Sequence, residues 1–220
     1  DTNHIVNDYP LFTVENNRRR AVFYVIVLVM TFLMTSLYYS VMNFMTSMLV
    51  EVHNMPQDIS IYVSILAPIT ISIGPIIAIN RCEKHKDYIK EAIVFALVLL
   101  PLPLLLALFF RVNVLLFIVM TVLFLIISNG LKSTALSVLA FKLKGIINVA
   151  SFSAISNAIA SFSAGIAPAV IGSIKDNFGW TATYWTAFII TSVVLVLLIV
   201  IDLWVRAMYK KKNHVALKDN

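Results

Sequence analysis

The sequence predicts an all-α membrane protein of six transmembrane helices, arranged as two inverted three-helix repeats, with both termini in the cytosol. Three observations carry that reading. Apolar runs fall at 21–49, 59–79, 92–110, 114–141, 149–174 and 183–205, and a bilayer core about 30 Å thick needs roughly 20 apolar residues per helix. The chain is 60% hydrophobic and 13% charged with a mean hydropathy of +0.90, against about 25% charged in a soluble domain. Basic residues gather in alternate connections only.

That third observation fixes the orientation, because Lys and Arg resist translocation and collect in cytosolic loops. Of 17 Lys and Arg, fourteen lie on one side: Arg18, Arg19 and Arg20 before the first run; Arg81, Lys84, Lys86 and Lys90 in the second turn; Lys142 and Lys144 in the fourth; Arg206, Lys210, Lys211, Lys212 and Lys218 at the end. The other turns hold Arg111 and Lys175, with Glu51 and Asp58 in the first of them. The positive excess therefore serves topology, and a nucleic-acid partner is excluded on position. Residues 1–20 read as a cytosolic tail or linker, 21–205 as the membrane bundle and 206–220 as a basic cytosolic tail, with a multi-pass plasma-membrane location expected. The opening on Asp1 reads as the end of a linker in a longer parent chain.

Polar content distinguishes the spans. The first carries Thr35, Tyr39, Asn43 and Thr46 at helical steps, with Ser36, Ser40 and Ser47 beside them, a stripe that needs a partner helix or a watery cavity. The second has Ser64, Pro68, Thr70, Ser72 and the pair Gly74-Pro75, which bends a helix where freed carbonyls find other donors. The third has no polar side chain over 92–110 and is expected to meet lipid on every face. The fourth presents Asn129, Lys132 and Ser133. The fifth steps through Ser153, Asn157, Ser161 and Gly165, with Ala150, Ala154 and Ala158 in a parallel row, spacings that permit close helix approach. The sixth is apolar over 193–201 and closes with Asp202 and Arg206, an i,i+4 pair. The order polar, Pro/Gly-containing, apolar thus occurs twice, about 90 residues apart. An odd number of helices per copy inverts the second, the arrangement of several secondary transporters.

Candidate site residues follow. Lys132 is the basic residue within a span, displaced about 5 residues, or roughly 8 Å, toward the cytosolic end of its helix. An intramembrane charge costs about 2.5–3.5 kcal/mol on insertion scales and marks a pathway by default, unless its stem snorkels to the headgroups. Asn43 and Asn129 occupy corresponding places in the two copies and offer donor and acceptor to a solute; the bland reading is an interhelical bond. Tyr38 and Tyr39 lie deep enough to stack on a solute or to pack. Catalysis finds no purchase: His4, His53, His85 and His214 lie in tails and loops, so neither a metal site nor an acid–base cluster is expected, and no cofactor. Cys82, the single cysteine, is expected in a cytosolic loop as a bystander thiol. No Asp or Glu lies deep in a span.

The fifth span and its exit, Ser153-x-x-x-Asn157, Gly165-x-x-Pro168-x-x-x-Gly172 and Asp176-Asn177-Phe178-Gly179-Trp180, are similar to the corresponding helix of organophosphate and related anion antiporters. The whole chain resembles the second six-helix half of a major facilitator superfamily transporter. The resemblance implies that the first, second, fourth and fifth spans line a cavity or meet a partner half, and that an N-terminal six-helix half belongs to the same parent chain. The first span reads Tyr38-x-Ser40-x-x-x-Phe44-x-Thr46 where the sugar-phosphate branch has Arg-x-Gly-x-x-x-Trp-x-Pro, so the phosphate-binding arginine is absent. Gly74 and 81–86 keep the glycine and the charges of the family's gating loop without its spacing. The implied activity is secondary or facilitative transport of a small solute, an anion among the candidates, by alternating access. A scaffold or sensor without transport and, further off, an intramembrane enzyme stand as alternatives.

Overall fold

The computed structural model describes residues 17–85, 87–134 and 149–216, and among them helices alone form the regular structure. The elements are α1 (Asn17–His53), α2 (Gln57–Ser64), α3 (Leu66–His85), α4 (Tyr88–Leu99), α5 (Pro101–Phe109), α6 (Val114–Ser133) and α7 (Val149–Ala216). They make five apolar runs long enough to cross a membrane: Val22–His53, Gln57–His85, Tyr88–Phe109, Val114–Ser133 and Ala150–Trp204. The last covers 55 residues and is two helices in one assignment, because Gly179 sits inside it at φ 78° and ψ 176°. That region is open essentially to glycine alone, so the helix is kinked there without an intervening loop. The expected end of the fourth span, 135–141, and the basic turn with Lys142 and Lys144 lie outside the described residues.

Prolines set the other interruptions. The second span breaks at Ile65 rather than at Gly74-Pro75: Pro68 cannot donate to the carbonyl of Ser64 and its ring crowds that turn, and Ser64 is where α2 ends. Through Pro75 the helix continues. The third span is divided at Leu100, where Pro101 takes the first position of α5, a place that loses nothing by its missing N–H. Asn113 starts α6, its Oδ1 accepting from the amides of Leu115 (2.8 Å) and Leu116 (3.3 Å).

Three expectations are corrected by packing. The third span does not face lipid all round: Ala92, Ala96, Leu99 and Leu106 are buried against α6 and α7, while Leu97, Val98 and Leu108 are exposed. Without polar groups it is suited to either setting, and composition alone did not choose between them. Cys82 is not in a loop; it is buried in the last turn of α3, because that helix runs on to His85 beyond the apolar stretch. In the fifth span the small-residue rows do not make the contacts inside the chain. Phe152, Ser156, Ser163, Ala167 and Ile171 form the buried seam, whereas Ala150, Ala154, Asn157, Ala158, Ser161 and Gly165 are exposed. The C-terminal helix continues to Ala216, so most of the basic tail is helical.

Small residues bring the second and fourth spans together. A Cβ built on Gly74 would stand 2.3 Å from the carbonyl oxygen of Ile126 and 2.8 Å from the amide nitrogen of Gly130. Backbone meets backbone at this crossing, which the buried series Ala67, Thr70, Gly74, Ala78 and Cys82 on α3 makes possible.

Candidate functional site

Part of the polar content of α1 is spent on neighbouring helices, while the Thr35 and Ser40 hydroxyls are buried without a hydrogen-bond partner among the described residues. Ser36 Oγ lies 2.7 Å from Ser163 Oγ on α7, with the Phe32 carbonyl 2.8 Å from both hydroxyls. Thr46 donates to Ser64 Oγ at 2.7 Å, and the Tyr38 hydroxyl is 3.2 Å from Thr70 Oγ1. These bonds tie α1 to α2, α3 and α7 and leave one stretch of its surface open. Tyr39 there is half-buried, and Asn43, one turn further on the same face, is exposed.

Lys132 reaches into this stretch. Its side chain is half-buried, and its ammonium lies 5.7 Å from the centroid of the Tyr39 ring, within range of a cation–π attraction. Thr35 is the midpoint of the 37-residue α1, and Tyr39 lies one turn past it toward His53. The amine thus meets a ring near the middle of α1, while Lys132 itself stands in the last turn of α6. Tyr38 sets the ring of Tyr39 from behind, edge to face at 5.3 Å and 89°.

The five candidate residues are not gathered round one point. Tyr39 and Lys132 meet, Tyr38 supports Tyr39 from the core, and Asn43 stands open beside them. Asn129 is turned away: it is 5% exposed, and its Nδ2 donates to the Ile71 carbonyl at 2.8 Å. Ile71 is the residue whose carbonyl a residue at 75 would bond in an unbroken helix, and Pro75 has no N–H to give. The two asparagines, alike in sequence position, therefore sit in unlike surroundings.

Two polar clusters escaped the reading of the sequence. At the basic end, the Glu91 carboxylate is 3% exposed and takes Arg81 Nε at 2.7 Å on one oxygen and His85 Nδ1 at 3.0 Å on the other. Arg81 and His85 are i,i+4 on α3, and Asp87 caps α4 by accepting from the Lys90 amide at 3.2 Å. That spacing was the available signal, but burial of Glu91 follows from α4 packing, which no local pattern encodes. At the opposite end, Glu51 accepts from the indole N–H of Trp180 (3.0 Å) and from Lys175 (3.0 Å). Among the described residues no three His, Cys, Asp or Glu side chains converge as a metal site would require.

No family model and no curated protein matches this chain.

Proposed function

We propose that the chain is part of a carrier that moves a small solute bearing an anionic group across a membrane by alternating access. The observation that supports it most is the Lys132 ammonium, set against the Tyr39 ring near the middle of α1 instead of a carboxylate. A charge within a span is retained at a cost, and pathways are where such charges are found. In this reading Lys132 attracts the anionic group, Tyr39 lies beneath it, and Asn43 supplies a donor and an acceptor from the same open face. Tyr38 and Asn129 contribute by fixing α1 and the α3–α6 crossing.

The two inverted repeats of three spans would supply the moving parts, with cytosolic ends and a plasma-membrane setting following from the basic loops. The exposed small-residue face around Asn157, Ser161 and Gly165, beside which a Cβ on Gly165 would meet nothing within 4 Å, suits a partner helix better than lipid. An N-terminal six-helix half of the same parent chain is the partner proposed, as the resemblance to the major facilitator superfamily implies.

Uptake into proteoliposomes carrying the parent protein, with a panel of small carboxylates and phosphates, tests the reading. Lys132→Gln should abolish most saturable flux and Lys132→Arg should retain part of it. Undiminished flux in K132Q overturns the assignment of the site. Absence of flux for every solute favours a scaffold or sensor.

A further inference from the structure

We propose that Trp180 is a swinging cover over an apolar cavity at the end of the bundle opposite the basic loops, held shut by the Glu51 carboxylate. The cavity lies between α1, the first half of α6 and α7 on both sides of Gly179, and its walls include Leu37, Met48, Phe117, Ile171 and Tyr184. Trp180 forms part of the same wall and is 7% exposed.

Four contacts define the closed position. The indole N–H donates to Glu51 Oε2 at 3.0 Å. The Phe44 ring meets the indole edge to face at 5.8 Å and 76°, and Lys175 places its ammonium 5.2 Å from the ring centroid. Lys175 in turn holds the other Glu51 oxygen at 3.0 Å. The contact with Phe44 and the cation–π contact tolerate sliding of the ring, whereas the N–H bond to a carboxylate is directional and charge-assisted. Like the Phe44 contact it ties the cover to α1, 129 residues away in sequence.

The pivot is immediately beside the cover. Gly179 has φ 78° and ψ 176°, outside helical geometry, and a Cβ built there meets nothing within 4 Å, so the helix is broken there beside open space, with the Thr183 hydroxyl donating to its carbonyl at 3.4 Å. The Glu51 side chain is 43% exposed, so water competes for the carboxylate without any other part of the bundle opening. A bulky lid, a glycine break in the helix and a solvent-reachable catch are thus adjacent. This inference does not depend on the solute or on Lys132.

The test reads Trp180 alone, in a protein carrying W185F and W204F, by acrylamide quenching of its fluorescence in detergent micelles. With Glu51 present the emission should be blue-shifted and weakly quenched. Glu51→Met keeps the length of the side chain and removes both acceptors; it should raise the open population on the order of tenfold and the quenching with it, the factor equivalent to about 1.4 kcal/mol. Unchanged quenching in E51M with native helical circular dichroism overturns the proposal. Should E51M fail to fold, exchange of the ¹⁵N-labelled indole N–H in the unaltered protein decides: the Trp180 N–H should exchange far more slowly than a free indole in water, and exchange at the free rate refutes the catch.

Discussion

Asn129 stands in for the backbone amide that Pro75 lacks: its Nδ2 reaches the Ile71 carbonyl at 2.8 Å, the acceptor one helical turn before the proline. A substitution cycle should expose this substitution of one donor for another. Asn129→Leu should lower the unfolding midpoint in detergent, at a cost of about 0.6–1.7 kcal/mol by the range for interhelical bonds in membranes. In a Pro75→Ala background, where a backbone N–H is restored, the same change should cost markedly less. Equal costs in both backgrounds would show that Asn129 has another job.

The α3–α6 crossing should tolerate no methyl group at position 74. Gly74→Ala places a Cβ 2.3 Å from the Ile126 oxygen, and both obstacles there are backbone, so the helices must separate. Gly130→Ala meets the edge of the Phe95 ring at 2.9 Å and the Gly74 carbonyl oxygen at 3.1 Å, so its one backbone obstacle is farther off than the two nearest at Gly74. Thermal denaturation of the two variants should therefore rank G74A well below G130A, with the Asn129–Ile71 bond lost in the former.

Gly179→Ala is expected to be destabilising by about 1–3 kcal/mol, since a Cβ cannot enter its backbone region without strain although the surrounding space is empty. The same substitution at Gly165, also in open space but at helical dihedrals, should be close to neutral in the isolated chain. Unfolding midpoints of the pair separate backbone strain from steric packing.

The Glu91 cluster predicts an asymmetry. Arg81→Gln leaves a buried carboxylate with the His85 imidazole on its other oxygen, whereas Glu91→Gln leaves Arg81, 44% exposed, free to turn to water. Stranding the buried member is the expensive direction. R81Q should thus lower stability more than E91Q, and the opposite order would mean that the Glu91 carboxylate is hydrated in the protein.

Much of the protein was legible along the chain, and the limits of that legibility are physical. Asp202 and Arg206 pair at 2.8 Å as their i,i+4 spacing requires, because both partners lie on one helix turn. Asn129 could not be read the same way. Its role depends on α3 presenting a proline-freed carbonyl opposite it, 58 residues away in sequence, and an asparagine on an apolar helix has the same local signature whether it faces a cavity or a neighbour. Likewise Glu51 and Trp180 are 129 residues apart, and each alone reads as an ordinary interfacial residue.

Hydropathy, length and proline positions, which act within one segment, determined by themselves that the chain is built of long apolar helices suited to a membrane, and nearly where each begins. Only the tertiary structure decided which faces meet: that the third span buries one side, that the small residues of the fifth are left outside the chain, that Cys82 and Glu91 are covered, and that Lys132 lies against Tyr39. Helix formation satisfies backbone groups locally, whereas pairing of helices in an apolar medium turns on close packing and a few polar bonds between segments far apart in sequence.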